Sequence, residues 1–151
     1  MTICSIGHQN LFGEIQKDEM ILSKIGEIVS EEWYKSFEIR SELFCEAFVV
    51  MPNHIHGILR ILQNEKTHRR ASLQKEIGVA YRAPKSISSF VAGFKSSATK
   101  KINRHRNSFG LAVWQTRFHD HIIRNPEELH RIKNYILENP KRWNKDKFYT
   151  P

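Results

Sequence analysis

Two runs rich in aromatic and β-branched residues, Leu43 to Val50 and His54 to Leu62, flank the tripeptide Met51-Pro52-Asn53. Pro followed by Asn suits the centre of a tight turn, so the two runs are expected to close into a β-hairpin. A hairpin of that length needs a cover for its apolar face, and the rest of the chain supplies candidates. Leu22, Ile25, Val29 and Trp33 step by three or four and predict a helix over Ile21 to Phe37. Ile87, Phe90, Val91, Phe94, Ala98 and Ile102 mark a second amphipathic helix. A third opens at Asn125-Pro126-Glu127-Glu128, with Asn as N-cap, Pro in the first turn and two acids at the positive end of the helix dipole. Leu129, Ile132 and Ile136 form its stripe, and Pro140 ends it.

Shorter extended segments are expected at Thr2 to Ile6, Leu11 to Ile15 and Val113 to Ile123. Gln63 to Lys85 is polar, carries His68-Arg69-Arg70 and ends near Pro84, so it reads as a long basic connection of the kind that is usually functional or disordered. The order strand, helix, hairpin, helix, strand, helix predicts an α+β sandwich with a mostly antiparallel sheet covered by helices. At 151 residues, 40% of them hydrophobic and 11% aromatic, the chain can fill one core, and residues 1–151 are expected to form one domain. No apolar run approaches the roughly 18 residues of a membrane span, and no basic segment with a long apolar stretch opens the chain, so a cytoplasmic protein with no membrane partner is expected. Cys4 and Cys45 match neither a CxxC metal site nor a disulfide framework and read as reduced core residues.

Charge narrows the partner. With 24 Lys and Arg against 16 Asp and Glu, the formal charge is +8, which points to a polyanion, nucleic acid ahead of membrane. Lys95, Lys100, Lys101, Arg104 and Arg106 on and after the second helix are candidates to track a DNA backbone, as are Arg69, Arg70 and Arg82 in the long connection. Such contacts hold phosphates without stating a sequence preference.

His54-Ile55-His56 is the most informative tripeptide. A strand alternates its side chains, so both imidazoles face one side and Ile55 the other, with Leu59 and Ile61. Their Cα atoms lie about 6.6 Å apart along a strand, a span two His side chains can close onto one ion. His119 and His121 share a strand face in the same way, with Asp120 opposite, as a competing pair, and His121 is expected to be structural or to support the site from outside. Tyr135 lies about 90° from the Leu129, Ile132 and Ile136 stripe on a helical wheel, at the flank where a helix meets a sheet. Asn139, four residues on, shares that flank; its carboxamide oxygen suits a metal, and Asn-Pro equally suits the start of a short helix over Lys141 to Trp143.

Three blocks then point to a family. Phe48-Val49-Val50-Met51-Pro52-Asn53-His54-Ile55-His56-Gly57-Ile58 resembles the HUH signature of single-tyrosine transposases, closest to the branch associated with repetitive extragenic palindromes. Trp114-Gln115 through Phe118-His119-Asp120-His121-Ile122-Ile123-Arg124 resembles the strand before that family's last helix, and Tyr135-Ile136-Leu137-Glu138-Asn139-Pro140 is similar to the helix carrying its nucleophile. The blocks come in the family's order, and weaker similarity extends from Thr2-Ile3-Cys4 through Phe94-Lys95-Ser96. One departure is that relatives usually carry several residues ahead of the Thr-Ile-Cys strand.

The resemblance implies a ferredoxin-like sandwich and a DNA nicking and joining enzyme. In it Tyr135 would be the nucleophile, forming a 5′-phosphotyrosine and leaving a 3′-hydroxyl. His54 and His56 would hold a divalent metal, Mn or Mg, with Asn139 as third ligand. The partner would be single-stranded or hairpin DNA, handled by a monomer or a homodimer. A phenol with pKa near 10 is a poor nucleophile at neutral pH, which is why tyrosine and metal need each other. Tyr34, Tyr81 and Tyr149 have no comparable reason to be held against a metal. Two rivals remain: a DNA-binding protein that kept the fold and lost chemistry, and a histidine-triad nucleotide hydrolase, whose longer alternating run is interrupted here by Ile58.

Overall fold

The computed structural model describes residues 1–62 and 86–150; the basic connection, with Arg69, Arg70, Tyr81 and Arg82, lies outside the described residues. Leu43–Val50 and His54–Ile61 form the expected hairpin. With Thr2–Cys4 as β1, Gly13–Gln16 as β2 and Glu19–Leu22 as β3, they are β4 and β5. The helices are α1 (Lys24–Glu38), α2 (Ile87–His105) and α3 (Pro126–Glu138), with short 3₁₀ turns at Ile6–His8 and Pro140–Lys145. Strands β1, β5 and β4, in that order, make an antiparallel sheet, and β2 pairs with β3 alone. This is the expected α+β sandwich.

Two boundaries differ from expectation. The first helix starts at Lys24, because Ser23 is its N-cap, its hydroxyl accepting the Gly26 N–H at 3.1 Å. Ile21 and Leu22, which continue the helical spacing, belong to β3 instead. The turn into β3 is made by Lys17 and Asp18, both at positive φ (49° and 65°), with no Gly to announce it. The segment expected as a strand over Val113 to Ile123 makes only two isolated bridges to the β1 region, Ser5 with Trp114 and Thr2 with His119. Ile6 N–H to Val113 O (2.8 Å) and Gln115 N–H to Cys4 O (3.0 Å) fasten the same segment without a regular ladder.

The sheet buries both faces unequally. On one, Ile3, Val50 and Ile55 meet α1 and α2 around Trp33, which stacks on Phe48 at 4.4 Å and meets Phe90 and Phe94 edge-on at 5.4 Å each. On the other, Ala47 and Ile58 pack against Ile136 of α3, with Val49, Ile123, Leu129 and Ile132 around them. A bulge between Cys45 and Ala47 lets β4 serve both: Cys45 accepts the Trp33 indole N–H at 3.4 Å, and Ala47 turns to α3. Both cysteines are free. Buried Glu32 of α1 ties the helices together through an ion pair with Lys101 and a hydrogen bond from Ser97 of α2. Among the described residues, no helix is long and apolar enough to cross a membrane.

Gly57 of β5 faces Trp33 so closely that an added Cβ would lie 2.5 Å from two atoms of the indole ring. Overpacking of this kind costs about 1–3 kcal/mol. Gly57→Ala is therefore expected to destabilise the fold by that amount, read as a lower urea midpoint at constant m-value; an unchanged midpoint would show that Trp33 is free to move.

Candidate metal and tyrosine site

Because the Trp33 side takes Ile55 and Gly57, the alternation of β5 turns His54 and His56 to the α3 side, where both are buried. Their Nε2 atoms face each other at 3.1 Å. The far nitrogen of each ring is tied down. Asn53 directs its Nδ2 at three acceptors, His8 O (3.2 Å), Phe148 O (2.7 Å) and Thr150 Oγ1 (3.3 Å), so its Oδ1 is the atom that meets His54 Nδ1 at 2.9 Å. His54 Nδ1 thus carries its hydrogen, and Nε2 carries the lone pair. His56 Nδ1 lies 2.8 Å from the Thr2 hydroxyl, which can donate or accept.

Burial, followed by the charges of His8 and Lys147, pushes the His54 pKa down to about 3. Burial and then His54 push His56 down to about 3 as well. Both rings are neutral at physiological pH, the state in which imidazole binds metal. Two nitrogens on one ion at bond lengths near 2.0–2.1 Å stand about 2.9–3.4 Å apart, and the observed 3.1 Å falls within that interval. The donor set fits a divalent ion.

Asp146 completes the cluster. One ligand atom from each of His54, His56 and Asp146 can be chosen so that all lie within 4.8 Å of one another. Its Oδ1 accepts the Phe148 N–H at 2.7 Å, and its Oδ2 accepts the Tyr135 hydroxyl at 3.3 Å. Nothing periodic marks Asp146 in the sequence; it follows a 3₁₀ turn in a polar stretch, and only the fold brings it here.

Tyr135 sits on the flank of α3, 44% exposed, with its ring centroid 5.7 Å from that of His56. Partial burial raises its pKa above the usual phenol value, the Asp146 charge and hydrogen bond raise it further, and the neighbouring Asn139 side chain opposes them. Asn139 is buried at the end of α3, and its Nδ2 has no partner among the described residues. Tyr34 packs on Phe48 at 5.8 Å and Tyr149 on Trp143 at 5.4 Å.

The other expected residues divide by what they touch. His121 pairs with Glu128 at 2.8 Å, in the first turn of α3, and His119 exchanges backbone hydrogen bonds with Thr2. The Lys95 ammonium donates to the carbonyls of Gln115 (2.6 Å), Thr116 and Arg117 (both 3.3 Å), and Lys101 pairs with Glu32. Lys100 and Arg104 are exposed, and Arg106 half-buried.

No family model matches the chain. An uncharacterized protein of Haemophilus influenzae is 32% identical over 99% of this chain and 83% of its own length. A second protein of that organism, named "Putative REP-associated tyrosine transposase", is 26% identical over 62% of this chain and 47% of its own length. A solved structure of a REP-associated tyrosine transposase bound to a REP hairpin superposes with a TM-score of 0.59 at 20% identity, covering 97% of this chain and 67% of that one. The chain belongs to one family with the uncharacterized Haemophilus influenzae protein, is similar in sequence to the putative REP-associated tyrosine transposase, and shares the fold of the REP-associated tyrosine transposase structure.

The buried histidines set a pH dependence of the metal-free protein. Their folded pKa values, about 3, lie below the unfolded value near 6.5, so the unfolded chain takes up protons that the native chain refuses. Their contribution is complete above pH 6.5 and is lost as pH falls from there toward 3, by up to about 1.4 kcal/mol per pH unit for each ring. Urea unfolding of metal-free protein across this window should show that slope, and His56→Gln should remove one ring's share; an equal slope in the variant would mean that His56 is protonated in the native state.

Proposed function

We propose that this chain is a metal-dependent single-strand DNA transposase or endonuclease that nicks and rejoins DNA through Tyr135. The observation that carries the reading is the meeting, on one face of the sheet, of a tyrosine hydroxyl, a carboxylate and two neutral imidazoles with their Nε2 atoms turned together. The family relationship and the net charge of +8 support DNA as the substrate class, and the hairpin bound by the related structure supports hairpin DNA.

His54 and His56 would hold the ion, with an oxygen from Asn139 or Asp146 as third ligand. A bound Mn or Mg supplies charge neutralisation on the phosphate oxygens. Tyr135 Oη attacks phosphorus as the bond to the 3′-oxygen breaks, leaving a 5′-phosphotyrosine and a 3′-hydroxyl. The phenolic proton passes to Asp146 Oδ2, its hydrogen-bond acceptor, and the departing oxygen takes a proton from water. Attack in line needs the hydroxyl about 3–3.5 Å from phosphorus, and the capped helix beneath Tyr135 gives it a fixed base. Rejoining is the same step run backwards by the 3′-hydroxyl, so no external energy source is needed.

Incubation with Mn and labelled hairpin DNA, followed by a denaturing gel and peptide mapping, should find the adduct on Tyr135, and Tyr135→Phe should abolish it while leaving hairpin binding unchanged. An adduct on another tyrosine, or one that survives Tyr135→Phe, would remove Tyr135 from the reaction. Mn binding followed by calorimetry should disappear in the His54→Ala, His56→Ala double variant. Thr2→Val, which removes only the hydroxyl beside His56, should weaken Mn binding by about 10-fold, as losses of a ligand's hydrogen-bond partner typically do. Full affinity in Thr2→Val would mean that the His56 ring needs no such support.

A further inference from the structure

The chain after α3 brings a cation to the histidines as well as a carboxylate. Asp146, Lys147 and Phe148 are consecutive, and the two outer residues each touch the site. Asp146 Oδ2 accepts the Tyr135 hydroxyl at 3.3 Å, and the Phe148 ring centroid lies 4.9 Å from that of His54. The backbone between them is pinned. Asp146 Oδ1 accepts the Phe148 N–H at 2.7 Å, closing a turn around Lys147, and the Phe148 carbonyl accepts the Asn53 Nδ2 at 2.7 Å. Lys147 is therefore held beside the pair by the same carboxamide that orients His54.

From that base the Lys147 ammonium reaches over Phe148, with Nζ 4.6 Å from the ring centroid. It is exposed and forms no ion pair among the described residues, unlike Lys101 with Glu32 and Arg142 with Glu138. Burial governs the pKa shifts of Cys4, His54 and His56, and the Lys147 charge acts on all three, opposing the rise at the thiol and adding to the fall at each ring. Cys4 stands directly opposite His54 in the register, so the charge falls on the side of the sheet that carries the histidines.

A cation in this place works against a metal site, because it repels the ion that the histidines would hold. Two neutral rings, one carboxylate and one ammonium carry no net charge between them, so a divalent ion on its own would leave both its charges uncompensated. A phosphate diester changes that balance. Its anion is attracted by the metal and the ammonium together, and more strongly as charge gathers on its non-bridging oxygens during in-line attack. An ammonium on a flexible stem, with three donors and no protein partner to give up, suits oxygens that shift as the reaction proceeds.

We propose that Lys147 is a further catalytic residue, whose ammonium contacts a non-bridging oxygen of the scissile phosphate and stabilises the charge that gathers there as Tyr135 attacks. The inference rests on the reading that Tyr135 cleaves DNA beside a metal held by His54 and His56. It adds a phosphate contact that neither the tyrosine nor the neutral rings can supply.

Lys147→Met, which keeps the stem and removes the charge, should act in two opposite directions. Mn binding without DNA, followed by calorimetry, should tighten about 3-fold, because a repelling charge is gone. Single-turnover adduct formation, with saturating Mn and a labelled hairpin made from a palindrome flanking the coding sequence, should slow about 100-fold, as loss of one charge-stabilising donor does. Lys147→Arg should bring both values back to within a few-fold of wild type. The contact itself is read without metal or cleavage, in Tyr135→Phe protein. There a methylphosphonate at the phosphate to which the adduct maps should weaken hairpin binding about 3-fold, and adding Lys147→Met should remove that difference. Lys147 is exposed, so its replacement leaves the fold intact, which circular dichroism would verify. An adduct formed at the wild-type rate by Lys147→Met, Mn affinity and rate lowered together, or an equal methylphosphonate penalty with and without Lys147 would overturn this inference while leaving Tyr135 and the metal in place. Absence of any adduct from wild type with Mn would overturn the transposase reading, and this inference with it.

Discussion

The carboxamide of Asn53 is the joint on which the site is hung. It is wholly buried at the hairpin turn, and each of its polar atoms is spent on a different part of the chain: Oδ1 on His54, Nδ2 on the carbonyls of His8 and Phe148 and on the Thr150 hydroxyl. Its neighbours continue the work through the backbone, Asn53 O accepting from Ser5 N–H at 2.8 Å and Pro52 O from Phe12 N–H at 2.9 Å. A turn residue thereby fastens both ends of the chain over one imidazole. Because the NH2 group of Asn53 is claimed by three acceptors, the amide cannot flip without leaving buried polar groups unmet, and the tautomer of His54 is fixed with it.

The two sides of the sheet divide the labour. Trp33, Phe90 and Phe94 make the deep aromatic side that keeps the strands in place. The α3 side is thin, with Ala47, Ile58 and Ile136 as its buried members. A thin layer leaves room beside the histidines for a half-exposed tyrosine. It also explains the cost carried by β5: His54 and His56 are buried neutral on the sparsely covered face of a strand whose opposite face is packed tightly enough to demand Gly at position 57.

What the sequence disclosed follows the same division. The hairpin, the α2 stripe and the Asn125 cap were legible because each is written in a local period or a local cap, and the Asn125 side chain does accept the Glu128 N–H at 2.8 Å. β3 was hidden because Ile21 and Leu22 fit the helical spacing that follows, and the positive-φ turn before them is made without Gly. The segment expected as a strand from Val113 to Ile123 alternates like one but meets β1 at only two bridges, since a three-residue strand cannot template a longer partner. Asp146 carried no signal, for its role depends on a contact eleven residues away in sequence and on a chain end folded back by Asn53. Lys95 and Lys101 read as outward charges, although one caps carbonyls and the other neutralises buried Glu32; period alone does not say whether a lysine at a helix flank meets water or protein.

The histidine pair also explains how a site can be closed upon itself and still accept an ion. With Asn53 fixing the lone pair on His54 Nε2, a 3.1 Å contact between the two Nε2 atoms is favourable without metal only if His56 donates from Nε2, and its Nδ1 must then accept from the Thr2 hydroxyl. When both Nε2 atoms serve as ligands, the hydrogen of His56 must move to Nδ1, and the same hydroxyl must turn round and accept. A hydroxyl can do this in place, whereas a carbonyl or an amide N–H could satisfy only one of the two states. Thr2, at the first residue of β1 and directly opposite His56 in the register, is therefore matched to a site that changes its hydrogen bonding without moving its backbone. The 3.1 Å separation already suits two ligands of one ion, so binding would redistribute one proton and leave the β5 scaffold where it stands.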